Sequence, residues 1–95
     1  MMEIKHIETG KGGEFVIDEN GNRAAEMTYT NAGEGLISID HTFVESNLRG
    51  EGIAKDLLGE NVKFARENNL KVKPLCPFAK AIIDRTPEFQ DVLAD

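Results

Sequence analysis

The chain has no tryptophan, a single tyrosine (Tyr29), a single cysteine (Cys76) and three prolines in 95 residues. A lone cysteine excludes an intrachain disulfide and a cysteine-based metal cage, and no His/Cys/Asp spacing matches a metal site, so no metal is expected. Basic residues are also scarce. Eleven Lys and Arg stand against 17 Asp and Glu, and the net charge of −6 repels a phosphate backbone, which argues against nucleic acid as a partner. No stretch approaches the ~20 consecutive apolar residues of a membrane helix, and the start M-M-E-I-K-H-I-E carries no apolar signal core. The expected location is the cytoplasm, with no membrane partner. Low-complexity and linker segments are missing too, so residues 1–95 are expected to form one domain.

What is present reads as alternating strands followed by strand–helix–strand. Ile4–Ile7 is a short alternation ended by a glycine-rich turn (Gly10, Gly12, Gly13). Phe15–Asp18 and Ala24–Thr30 are β-prone runs whose linker contains Asn20-Gly21, a pair suited to the positive φ of a tight hairpin. In the second run Ala25, Met27 and Tyr29 line one face, and Tyr29 is open to either a packing or a catalytic role. Leu36–Val44 is the fourth strand. Strict alternation puts Ile37, Ile39, His41 and Phe43 on one side and Leu36, Ser38, Asp40, Thr42 and Val44 on the other.

A helix over Gly52–Asn68 follows, with Ala54, Leu58, Val62 and Ala65 along one stripe and Asn68-Asn69 as a left-handed stop. Leu70–Leu75 is then a fifth strand, parallel to the fourth because a crossover helix separates them. Pro77 is expected as the first residue of a second helix, Phe78–Arg85, which Pro87 ends. The tail Glu88–Leu93 should carry Phe89, Val92 and Leu93 back to the core. The fold class is therefore a mixed α/β sheet, with antiparallel N-terminal strands leading into a parallel pair.

The stretch V-E-S-N-L-R-G-E-G-I-A-K-D-L-L (Val44–Leu58) organises the rest. A strand stops, a polar loop with two glycines follows, and a helix begins, so that unpaired N–H groups and the positive dipole end face the loop. Such a site takes an anion. Gly50 and Gly52 let a diphosphate approach the backbone, and Arg49 adds a permanent positive charge. The dinucleotide pattern G-x-G-x-x-G fails at Lys55, and the P-loop pattern is missing.

Arg49, Gly52 and Ala54 do fill R-x-x-G-x-[GA], which resembles the acetyl-CoA signature of the GNAT N-acetyltransferase superfamily. The chain resembles most closely a group of very short stand-alone GNAT-like proteins. The shared motifs are H-T-x-V (His41 to Val44), R-G-x-G-I-A (Arg49 to Ala54), P-x-C-P-F (Pro74 to Phe78) and P-E-[YF] (Pro87 to Phe89). The resemblance implies a minimal GNAT fold, acetyl-CoA as co-substrate and an amine acceptor of unknown identity. It also implies a coenzyme A site made of Phe43, Val44, Arg49, Gly50, Glu51, Gly52, Ile53, Ala54, Cys76 and Phe78. The pantetheine arm would lie between the two parallel strands, with a backbone N–H near Phe43 to Glu45 receiving the thioester oxygen.

Two departures from that pattern are visible. Ordinary members place one or two helices between their first two strands, whereas Ile7 to Phe15 has no room for them. Many use a tyrosine after the fifth strand to protonate the leaving thiolate, and Cys76 and Phe78 stand there instead. A non-catalytic acyl-CoA-binding module is therefore the alternative to an acetyltransferase. Of the side chains present, His41 suits a general base by intrinsic pKa, or it packs beside Ile39 and Phe43. Cys76, as the residue before the second helix, is either a reactive thiol favoured by the helix dipole or a small buried hydrophobe. Catalytic candidates are thus Cys76 and His41. Nothing in the sequence gives His6 a role.

Overall fold

Turn chemistry sets the first half of the chain. Asn20 and Gly21 both take positive φ (54° and 80°), the left-handed pair that closes a two-residue hairpin between Gly12–Glu19 (β2) and Asn22–Gly33 (β3). The computed structural model describes residues 3–94; the expected domain 1–95 also takes in Met1, Met2 and Asp95, which lie outside the described residues. Lys5–Thr9 (β1), β2, β3 and Leu36–Val44 (β4) are antiparallel neighbours, and Lys71–Pro74 (β5) joins β4 in parallel. The sheet order is β1-β2-β3-β4-β5. This is the mixed sheet expected from the sequence, with the single parallel pair at one side.

Two of the three glycines assigned to the first turn lie inside β2. A Cβ on Gly12 would sit 2.1 Å from the Tyr29 carbonyl oxygen, and one on Gly13 would sit 2.6 Å from the Tyr29 hydroxyl. Close approach of β3 requires glycine there, so β2 begins earlier than β-propensity suggests. Only Gly10 and Lys11 separate β1 from β2, which leaves no helix between them.

The crossover helix α1 (Ile53–Glu67) buries Ala54, Leu57, Leu58, Val62 and Ala65 against the sheet face carrying Phe15, Met27, Ile37 and Ile39. Each fully buried Leu, Val, Ile or Met among them contributes roughly 1.5–3 kcal/mol. Asn68 is the C-cap and Asn69 takes φ 56°, the left-handed stop that the Asn-Asn pair indicates. Helix α2 (Pro77–Asp84) packs Ala79, Ile82 and Ile83 into the same core. The tail forms a 3₁₀ segment over Pro87–Val92 with Val92 buried, and the Ala94 N–H donates to the Val72 carbonyl at 2.8 Å, covering part of the free edge of β5.

The alternation in β4 differs from the sequence expectation. Thr28 pairs with His41 while Tyr29 pairs with Ile39, so Asp40 is an extra residue, a β-bulge. Its carboxylate accepts hydrogen bonds from the Thr30 hydroxyl (2.5 Å) and the Ser38 hydroxyl (2.8 Å). The extra residue inverts the faces beyond it. Thr42 and Val44 now point with Met27 and Ala25 toward the core, whereas His41 and Phe43 turn to the opposite face with Thr28 and Glu26.

Candidate active site

The site lies where β4 and β5 part. Their ladder ends at Ile39 and Pro74, and the Ile39 carbonyl closes it by accepting from the Leu75 and Cys76 N–H groups, both at 3.0 Å. Beyond that point β4 continues to Val44 on β3 alone, while the chain after β5 turns into α2. A gap is left between them. Because the Glu45 N–H donates to the Ala24 carbonyl at 2.9 Å, antiparallel alternation directs the Thr42 and Val44 N–H groups to the open edge. Of the three amides expected near the carbonyl oxygen, Val44's alone faces the gap.

Past Val44 the chain makes a 3₁₀ turn over Ser46–Leu48 and enters the glycine loop. Gly50 and Gly52 have φ of 86° and 76°, values that favour glycine, and Gly52 is the N-cap of α1. A Cβ at either position would meet no protein atom within 4 Å, so the loop's backbone is bare toward solvent. Arg49 folds back, and its Nε donates to the Val44 carbonyl at 3.2 Å. This holds the guanidinium between the strand end and the helix start.

A cavity of about 530 Å³ opens here. Its apolar wall includes Val44, Leu48, Ile53, Phe78 and Ile82, and its rim includes Arg49, Gly50 and Gly52. Lys55 and Arg85 also line it, two cations thirty positions apart in sequence that only the packing of α1 and α2 brings together. Among the described residues Arg49, Lys55 and Arg85 form no ion pair with a carboxylate. In a chain of net charge −6, three cations without an ion pair make the surroundings of this cavity locally positive.

Cys76 sits at the inner end of the gap as the N-cap of α2, with Pro77 at the first helical position, as the sequence indicates. Its Sγ is 3.5 Å from Thr42 Oγ1 and the residue is 8% exposed. Burial pushes the thiol pKa up. The Ala79, Phe78 and Thr42 N–H groups and the Thr42 hydroxyl together outweigh that effect, and the net shift is downward.

The remaining candidates fall elsewhere. His41 and Phe43 are on the outer face of the sheet, and His41 Nε2 is 3.8 Å from Glu26 Oε2. Glu26 also pairs with Arg23 at 3.0 Å, and Arg23 reaches Glu14 and Asp18 as well. Glu51 is exposed, and Glu51, Phe43 and Cys76 do not line the cavity. Tyr29 is buried, its hydroxyl 2.5 Å from His6 Nε2 and its ring beside Phe15 and Phe64. His6, for which the sequence offered no context, stacks on Phe15 with ring centroids 4.1 Å apart. Tyr29 is a core residue.

A glycine loop capping a crossover helix, beside a parallel strand pair that splays next to a cavity, is the architecture of an α/β acyltransferase fold. The chain belongs to the GCN5-related N-acetyl-transferase family, whose pattern it matches over residues 14–92. It is similar in structure to a GCN5-like putative N-acetyltransferase from Staphylococcus aureus, with 41% identity, a TM-score of 0.78, and coverage of 98% of this chain and 88% of that one. It is similar in fold alone to the IAA acetyltransferase from Bacillus cereus, with 15% identity, a TM-score of 0.71, and coverage of 90% of this chain and 75% of that one. In sequence it resembles Protein NATD1 of Gallus gallus, 30% identical over 75 residues that make up 78% of this chain and 68% of that protein. The chain thus spans about two thirds of that relative's length.

Among the described residues no helix is long and apolar enough to cross a membrane, and no group of three or more His, Cys, Asp or Glu is placed to hold a metal.

Proposed function

We propose that the protein binds acetyl-CoA in this cavity and transfers the acetyl group to an amine. The observation that carries the reading is that one cavity is lined by the bare Gly50 and Gly52, by the start of α1, by Val44 at the end of β4 and by Phe78 of α2. The loop amides, the α1 dipole and Arg49 bind the diphosphate. The pantetheine arm follows the open edge of β4 toward Cys76, along the cavity's apolar wall. The Val44 N–H donates to the thioester oxygen as negative charge develops on it.

His41 takes the proton from the acceptor. Its place on the outer face supports an approach from the side opposite α1, where no helix stands among the described residues. The neutral amine attacks the thioester carbon, the C–N bond forms, the C–S bond breaks, and the departing sulfur takes up a proton. Cys76 adjoins that sulfur. Its thiol gives the departing sulfur that proton, and the thiolate left on Cys76 is held by the N–H and hydroxyl donors around it until solvent reprotonates it.

The two-residue connection between β1 and β2 favours a second reading, an acyl-CoA-binding module without turnover, because no helix among the described residues covers an acceptor on the outer face. The test is acetyl-CoA consumption against a panel of polyamines, peptides and aminoglycoside-like amines. Turnover above background hydrolysis that is lost in His41→Gln supports the transferase. Binding without turnover on every amine supports the module.

A further inference from the structure

The diphosphate reading uses the loop amides and Arg49, and leaves two cations of the same cavity without a role. Lys55 is the third residue of α1, in the turn where the helix dipole is positive and where acidic side chains are favoured. A lysine there is electrostatically misplaced unless an anion lies beside it. Arg85 is the C-cap residue of α2, the C-terminal end of the helix opposite α1 across the cavity. A basic residue at that end is compatible with the dipole, but the nearest carboxylate in sequence, Asp84, is already paired with Lys80 at 2.9 Å. Both side chains are exposed and both line the cavity together with Phe78 and Ile82. One cation from each helix thus faces the same space, on top of the charge that a diphosphate requires.

We infer that Lys55 and Arg85 form a second anion subsite, one that takes the 3′-phosphomonoester of coenzyme A. The inference rests on the coenzyme A reading above and adds to it a basis for choosing between coenzyme A and its 3′-dephospho form. A phosphomonoester carries close to two negative charges at neutral pH and a diphosphate diester carries one per phosphorus, so the terminal group has the highest charge on the ligand. Two cations on separate helices suit a compact dianion, with lysine as a point charge and arginine as a planar fork. The same arrangement makes the preference dependent on pH. Protonation of the monoester below about pH 6 removes one charge and with it part of the discrimination.

The experiment is titration calorimetry of the protein with coenzyme A and with 3′-dephospho-coenzyme A at low ionic strength. Both helices are kept intact in a Lys55→Gln/Arg85→Gln variant, since both positions are exposed and glutamine is a good helix former, and circular dichroism verifies the fold. The unmodified chain is expected to bind coenzyme A about tenfold or more tightly over the dephospho form. The double variant should bring that ratio close to one, and so should 0.5 M salt or pH 5 for the unmodified chain. Equal affinity of the unmodified chain for the two ligands overturns the subsite and leaves the coenzyme A reading standing. So does a double variant that keeps the ratio while weakening both ligands alike, because the two cations then serve the diphosphate. If neither ligand binds, the coenzyme A reading fails, and the subsite with it.

Discussion

Cys76 Sγ lies 3.5 Å from Thr42 Oγ1, at the level where β4 and β5 lose their pairing. That contact ties the start of α2 to the strand edge whose Thr42 and Val44 N–H groups face the gap. The thiol therefore lies in a nest of donors, and its downward pKa shift follows from those donors exceeding the burial cost. The alkylation rate of Cys76 against pH should show a midpoint below the ordinary thiol range. Thr42→Val should move the midpoint up, by removal of one donor to the thiolate, with little change in fold. Coenzyme A should slow alkylation at every pH. A Cys76 that titrates as a free thiol and is unprotected by coenzyme A is a packing residue only.

Tyr29 offers a spectroscopic check on the core. Burial first, and the Glu8 carboxylate second, push its phenol pKa up to about 12. It is the only tyrosine and there is no tryptophan, so the phenolate absorbance is unobscured. The sign follows from linkage. The folded state holds the phenol proton more tightly than the unfolded chain does, so Tyr29's contribution to stability is full below pH 10 and is lost as pH rises toward 12. A folded-state midpoint near 10 would contradict the buried placement against Phe15 and Phe64.

Asn61 is fully buried on α1, and neither atom of its side-chain amide has a hydrogen-bond partner among the described residues. An unsatisfied buried amide costs about 1–3 kcal/mol, so Asn61→Leu, which keeps the branched shape and the number of side-chain heavy atoms, should stabilise the protein by about 1 kcal/mol. For a chain of this size the melting temperature should rise by about 4–8 °C. A lower melting temperature would show that the amide is bonded in solution.

Arg49→Ala should weaken coenzyme A binding about tenfold at low salt and much less at high salt, since an exposed guanidinium–phosphate contact is screened. The melting temperature should hardly move, because the side chain makes one bond, to the Val44 carbonyl, outside the core. Unchanged affinity at low ionic strength would assign the diphosphate to the backbone amides alone.

Local chemistry was legible in the sequence, and register and convergence were not. Gly50 and Gly52, Pro77 with Cys76 before it, and Asn20-Gly21 each act within a few residues, and the structure puts them in the loop, cap and hairpin their chemistry requires. The bulge at Asp40 is a different case. Nothing between Leu36 and Val44 interrupts the alternation, and the extra residue is fixed by Thr30 on another strand, so the face of His41 and Phe43 could not be read from β4 alone. Lys55 and Arg85 meet only because α1 and α2 flank one cavity. Asn61 falls on the buried stripe of α1, three positions after Leu58, and its helical spacing was a signal that its polarity concealed.

The most direct test of the coenzyme A site is a backbone amide NMR titration with coenzyme A. The resonances of Gly50, Gly52 and Ile53 should shift first and farthest, followed by Val44 and Cys76 along the gap, while those of Lys5 to Thr9 stay fixed. Amides of the glycine loop that do not move at millimolar coenzyme A would contradict the assignment of this cavity.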